Sequence, residues 1–309
     1  MSNAGTVLVA GTINTDLVGR VRRAPEAGET VTGSSFAIFG GGKGANQAVS
    51  CARSGGATVM LGAVGDDDFG AQRLADLRKD GIETGSVAVA AGVASGVALI
   101  TVEEESGQNR IAYIPGATAT VTAEAARSAC EQVRPRVVLA TLELPEAARV
   151  ALFAAAKAHG ATLVVNATPE AVGARVHLPV IDVLIVNETE ASDLLGYEVG
   201  PENAMAAAAG LAAMGPAAIA ITLGAAGAVV LTPEGGATLP APKVTVVDTT
   251  GAGDAFCGAV AARLAAGQSV QEAARAGVVA GSLAATKAGA QPSMPTAEEI
   301  ARMLQTQAT

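Results

Sequence analysis

The chain has 309 residues, 50% of them hydrophobic, 16% charged and 2% aromatic, with a net charge of −9. The apolar surplus excludes disorder and requires a substantial aliphatic core, built as one large α/β domain or two modest ones. Acidity and the shortage of aromatic rings exclude nucleic-acid binding, which needs basic stripes or stacking platforms.

In chain order, Ser2-Asn3-Ala4 reads as a tag scar, and no basic-then-apolar signal pattern follows it. Thr6-Ala10 reads as a first strand, ending in Gly11-Thr12-Ile13-Asn14. Leu17-Phe39 holds strand-like runs with no helix between them. Helix Ala45-Ser54, strand Thr58-Ala63 and helix Phe69-Asp80 come next. Ala88-Pro115 is a second helix-free region, where Gly96-Val102 and Asn109-Ile114 flank an acidic turn as a hairpin. Helices Ala123-Gln132, Pro145-His159 and Glu188-Leu195 then alternate with strands Val137-Thr141, Thr162-Asn166 and Val183-Val186. Ala204 to Leu231 is uncharged and long enough to span a bilayer, but Gly210, Gly215, Pro216, Gly224 and Gly227 break it. It reads as helix Asn203-Met214 and strands Ala218-Leu223 and Ala228-Leu231, so no membrane partner is expected. Lys243-Val247 reads as a strand before helix Ala252-Ala266, which Gly267 closes.

These strands are continuous apolar runs rather than alternating ones, as expected where both sheet faces are covered. The fold class is therefore α/β, with a mainly parallel central sheet. Residues 17–39 and 88–115 form a small accessory sheet, placed to act as a lid on a single domain spanning 1–309. Cys51, Cys130 and Cys257 lie far apart with no CxxC, which fits a reducing cytoplasm.

Three stretches carry candidate chemistry. Asp248-Thr249-Thr250-Gly251-Ala252-Gly253-Asp254 opens a helix with glycines, and free amides at a helix N-terminus seat phosphate oxygens. Asp254 in that first turn is either a base for a hydroxyl nucleophile or an acidic residue that favours the helix dipole. Gly40-Gly41-Gly42-Lys43-Gly44-Ala45-Asn46-Gln47 is no Walker A loop, because Gly44 stands where Ser or Thr is required. It matches GxGxxA, but a dinucleotide fingerprint should follow the first strand, and Gly11-Thr12-Ile13-Asn14 does not supply it. Asn14-Thr15-Asp16, Glu143 and Asn187-Glu188-Thr189-Glu190 all follow strands, where open α/β sheets bind ligands. Taken singly, each also reads as a helix cap or loop residue.

Together these stretches resemble the ribokinase family of carbohydrate kinases, also called the PfkB family, nearly end to end. Asp248–Asp254 looks like its C-terminal signature, Gly41–Asn46 like its N-terminal one, and Asn187–Glu190 like its NxxE motif. Thr222-Leu223-Gly224-Ala225-Ala226-Gly227 resembles its nucleotide loop. The resemblance implies a three-layer α/β/α fold with a β lid through which such enzymes often form homodimers. It implies ATP-dependent phosphorylation of a sugar primary hydroxyl such as O5 of D-ribose; another pentose, deoxyribose or a nucleoside is the nearest rival. A catalytically silent sugar-binding regulator would not need Asp254. By the same resemblance Asn14, Thr15, Asp16, Gly42, Lys43, Gly44, Ala45, Asn46 and Glu143 hold the sugar, and Asn187 with Thr222–Gly227 faces ATP. Gly251, Ala252 and Gly253 form an anion hole, Asp254 is the base, and Glu190 places Mg²⁺ through water. Asp248, Thr250, Ala284, Lys287, Gly289 and Ser293 surround a monovalent cation such as K⁺. Thr141, Ala167 and Val278 depart from the family pattern, the last of them at the adenine end.

Overall fold

The computed structural model describes residues 5–168 and 171–307. The expected tag scar lies outside them. The elements begin with β1 (Thr6–Ala10), β2 (Asn14–Val21), β3 (Gly33–Gly41), α1 (Lys43–Arg53), β4 (Ala57–Gly65), α2 (Asp68–Lys79) and β5 (Glu83–Ala90). They continue through β6 (Gly96–Glu103), β7 (Asn109–Ile114), α3 (Ala123–Val133), β8 (Val137–Thr141), α4 (Glu146–Ala158), β9 (Thr162–Asn166), β10 (Val183–Asn187) and α5 (Glu188–Leu195). The last are α6 (Ala204–Ala212), β11 (Ala218–Thr222), β12 (Ala228–Thr232), β13 (Gly235–Leu239), α7 (Ala252–Ala265), α8 (Val270–Ala284) and α9 (Ala297–Gln307).

A nine-stranded sheet runs β13-β12-β11-β10-β9-β8-β1-β4-β5, parallel except at β12 and β13. Its central strands are buried on both faces, which explains their unbroken apolar runs. Val7 and Val9 of β1 join one core with α1, α7 and α8, while Leu8 and Ala10 point into the other with α3 to α6. The result is a three-layer α/β/α stack. Strand order reverses between β1 and β8, and such a switch point opens a crevice beyond the strands' carboxyl ends.

The accessory sheet has order β3-β2-β6-β7, with β2 and β6 parallel and both outer pairs antiparallel. It differs from the expected boundaries at both ends. Ala88–Ala90 belong to β5 of the main sheet, hydrogen-bonded to β4. Asn14–Asp16, expected as a loop after β1, are the first residues of β2, so the small sheet itself carries polar site residues.

Residues 243–247 are not a strand. Pro240 and Pro242 remove donors just ahead of them, and the Val247 and Asp248 amides both donate to Ala285 O instead of to a sheet partner. All three cysteines are free and buried. Among the described residues, no helix is long and apolar enough to cross a membrane.

Candidate active site

The candidate groups converge at the switch point. Gly42 has φ 88°, and a Cβ there would lie 2.6 Å from Thr12 O, so only glycine lets β3 turn into α1 against the end of β1. Gly44 packs on Gly11, where a Cβ would meet backbone carbon at 2.5 Å. The Ala45 amide donates to Thr12 O at 2.9 Å. Gly44 and Ala45 thus fasten α1 to β1, which leaves Lys43 and Asn46 as the reaching side chains of this loop.

Glu143, just past β8, accepts hydrogen bonds from Thr12 Oγ1 at 2.6 Å and Thr141 Oγ1 at 3.2 Å. Burial pushes its carboxyl above the usual range, while these bonds and nearby Lys43 pull the other way. Asp16 on β2 is raised to about 6, first by burial and also by Asp254, with Arg73 opposing. Asn14 Oδ1 and Asn46 Oδ1 are buried acceptors with no protein partner, and Thr15 is buried with its hydroxyl unpaired. Two carboxylates and two open amide oxygens make a donor-hungry cluster near Asp254, which suits a ligand rich in hydroxyl groups.

Gly251 adopts φ 78° at the start of α7, where a Cβ would lie 2.9 Å from Ala290 Cα. The Ala252 amide donates to Thr249 O at 3.1 Å, which takes it out of the expected anion hole. Gly251 and Gly253 line a polar cavity of about 200 Å³ with Lys43, Asn187, Glu190, Thr222 and Asp254. Asp254 accepts from Asn46 Nδ2 and Gln47 Nε2, each at 3.0 Å. Burial raises its carboxyl above the ordinary value; Lys43 and the two amides act against that rise.

A second, mostly apolar cleft of about 450 Å³ adjoins the first and shares Thr222 and Gly253 with it. Gly224, Ala225 and Gly227 of the β11–β12 turn line it, with Ala252, Phe256 and Val278. Leu223 is buried in the core beneath that turn. Asn187 and Glu190 form a capping box on α5: Asn187 Oδ1 accepts from the Glu190 amide at 2.8 Å, and Glu190 Oε2 from the Asn187 amide at 2.9 Å. Burial raises the Glu190 carboxyl. No group of three metal-ligating side chains occurs among the described residues, so a Mg²⁺ ion here would be held chiefly by water and phosphate oxygens.

Asp248, Thr250 and Gly289 of the expected cation set come together. Asp248 Oδ1 accepts from the Thr250 amide and hydroxyl, and Oδ2 from the Gly289 amide at 2.8 Å. Burial works to raise Asp248, but these bonds outweigh it and hold the carboxyl below its usual range. Ser293 is fully buried and donates to Ala290 O. Oxygen donors from two loops, already bridged by one ionised carboxylate, suit a hard monovalent cation. Lys287 points its ammonium away, to Glu299 at 3.0 Å, so only its main chain is available.

Sequence reasoning missed Thr12, Arg73, Tyr113, Gln47 and Asn166. Tyr113 of β7, raised to about 12 mainly by burial and then by Glu143, lies on the same sheet face as Asp16. Only the Gln beside Asn46 carried a local hint, as a long amide side chain in the glycine-rich stretch that opens α1.

A polar, hydroxyl-accepting crevice that meets an anion cradle and an apolar cleft defines a small-molecule phosphotransferase of the three-layer α/β class. Residues 4–297 match the pfkB family carbohydrate kinase profile. The chain belongs to that family. It is 37% identical over 298 residues to a ribokinase of Staphylococcus aureus, covering 95% of this chain and 98% of that one. It is 36% identical over 307 residues to a ribokinase of Schizosaccharomyces pombe, covering 95% and 96%. The solved Arabidopsis thaliana ribokinase complexed with ribose and ATP superposes with a TM-score of 0.88 at 28% identity, over 98% of this chain and 99% of that one.

Proposed function

We propose that this chain is an ATP-dependent ribokinase that transfers the γ-phosphoryl group to O5 of D-ribose, with Asp254 as general base. The observation that carries the reading is the placement of Asp254 close to Asp16, Asn46 and Glu143 while it lines the cavity of the glycine cradle. Likeness to named ribokinases over nearly the whole chain supports the choice of sugar.

In this reading Asp16 and Glu143 accept sugar hydroxyl protons in hydrogen bonds, and Asn14 and Asn46 use their free amide oxygens in the same way. Asp254 takes the proton of the attacking hydroxyl as its oxygen bonds to the γ-phosphorus, and the bond from that phosphorus to the β,γ-bridging oxygen breaks so that ADP leaves with the electron pair. The Gly251 and Gly253 amides stabilise charge on the transferring group, and Lys43 adds its ammonium to the same cavity. The adenine lies in the apolar cleft against Val278. Mg²⁺, when bound with ATP, neutralises phosphate charge, and Glu190 orients its water shell. Asp248, Thr250, Ser293 and the main chain of Ala284, Lys287 and Gly289 would hold K⁺, whose charge would help to fix the spacing of the two loops. The small sheet closes over the sugar and pairs with a second copy of the chain.

The test is a phosphorylation assay on a panel of ribose, deoxyribose, other pentoses, hexoses and nucleosides. Ribose is expected to give the highest kcat/KM. A deoxyribose or nucleoside preference would move the assignment within the family, and sugar binding without turnover would favour the silent regulator.

A further inference from the structure

We infer that Gln47 is a positioning residue for the Asp254 carboxylate, anchored through Asn166 to the main chain of β10. The inference rests on the reading of Asp254 as the base. Gln47 Nε2 donates at 3.0 Å to Asp254 Oδ1 and at 3.0 Å to Asn166 Oδ1. Asn166 in turn donates through Nδ2 to Ile185 O at 3.2 Å. Asn46 Nδ2 holds the other carboxylate oxygen, Oδ2, so the two amides fix both the rotation and the plane of the group.

The direction of this chain of bonds is set at its far end. A main-chain carbonyl can only accept, so Ile185 O turns the Asn166 amide hydrogens toward itself and leaves Oδ1 facing Gln47. That oxygen and Asp254 Oδ1 then both demand the NH₂ end of Gln47. The reversed amide would set oxygen against two oxygens. Gln47 therefore always offers Asp254 a donor, which favours the ionised carboxylate that a base must present. Each carboxylate oxygen keeps a second lone pair for the incoming hydroxyl proton.

Gln47 is fully buried, and its Oε1 has no hydrogen-bond partner. A buried orphan acceptor is costly, and an apolar side chain of similar size would fill the same space between α1 and α7 without it. What a glutamine alone brings to this position is the shared donor. The other charged or titratable groups around Asp254 are Lys43, Asp16, Glu143, Glu190 and Cys257. None of them supplies a hydrogen bond to Oδ1.

The experiment measures kcat and both KM values, across the pH range in which each variant is stable, for Gln47→Leu, Gln47→Glu, Asn166→Leu and Asp254→Asn. Gln47→Leu is expected to lower kcat about ten- to a hundredfold, as misplacement of a catalytic group does. KM for sugar and for ATP should stay within about threefold, because no substrate contact is lost. The acid limb of kcat should move to higher pH, and further still in Gln47→Glu, which keeps the shape but sets a second carboxyl against the base. Asn166→Leu should move it in the same direction by less. A folded Gln47→Leu with kcat within twofold of wild type and an unmoved limb would overturn the inference. If the leucine variant does not fold, a Gln47→Glu profile that superposes on wild type overturns it equally. Asp254→Asn separates the two readings: its full activity would remove the base assignment, whereas its inactivity beside normal Gln47 variants would remove only the role of Gln47.

Discussion

At the scale of single residues, the site gives two carboxylates different surroundings. Asp254 is held by two amides and faced by Lys43, whereas Asp16 has no comparable pair of donors and is raised to about 6. Asp254→Asn should cut kcat roughly 10²–10⁴-fold with a smaller effect on sugar binding, measured by steady-state kinetics and sugar titration. Sugar affinity should weaken as pH falls through about 6, where protonation costs Asp16 its acceptor role. Stability follows the opposite sense. Because the folded pKa is raised from 3.8 to about 6, the native state is favoured below the lower value and loses that advantage as pH rises through the upper one. Asp16→Asn should therefore raise the melting temperature of the ligand-free protein more at pH 8 than at pH 4, while increasing the sugar KM strongly. Equal changes in melting temperature at the two pH values would show that Asp16 carries no such cost.

Among elements, the start of α7 and the loop before α9 behave as one unit. Asp248 ties Thr250 to Gly289, and Gly251 lies so close to Ala290 that no Cβ fits between them. The aim of the Gly251 and Gly253 amides is thereby coupled to the loop that follows α8. Turnover measured in a large-cation buffer should rise saturably with added KCl at constant ionic strength, and Asp248→Ala should abolish that dependence. Rates independent of K⁺ would leave Asp248 as a hydrogen-bonded bridge alone. Motif reading anticipated this helix start but not the elements around it. Residues 244–247 are β-branched, yet prolines on their approach and the lack of a sheet neighbour leave them irregular. The α8 and α9 helices went unnamed, although Ser269 with Glu272 and Thr296 with Glu299 carry capping-box spacing at their starts.

For the whole molecule, the small sheet is the part with surface to spare. Register places Phe39 and Tyr113 on the face shared with Asp16, and Phe36, Ile38, Leu99 and Ile114 on the opposite face. Those last four are 43–65% exposed, a concentration of large apolar side chains that marks an interaction surface. Light scattering should find a dimer, and Leu99→Glu, with Ile38→Glu beside it, should yield monomers with a weakened sugar KM if pairing steadies the sheet over the site. A wild-type monomer would assign this face to something other than a second copy.

Local chemistry was enough to define the alternation of apolar strands and alanine-rich helices, the glycine cradle at Asp248–Asp254, and the polar residues at strand ends. Each is a short-range matter of backbone freedom, helix dipole or burial on two faces, and each is legible in a handful of neighbouring residues. Other features depend on contacts between distant segments. Tertiary structure alone decided that Asn14–Asp16 begin a strand of the small sheet, that Gly44 and Ala45 serve packing while Asn46 reaches Asp254, and that Ala252 donates its amide to Thr249. It alone brought Gln47, Asn166 and Asp254 into one hydrogen-bonded line, across sequence separations of 119 and 207 residues. A hydrogen bond needs its partners within about 3 Å. No spacing along the chain records which strand the sheet will set beside which.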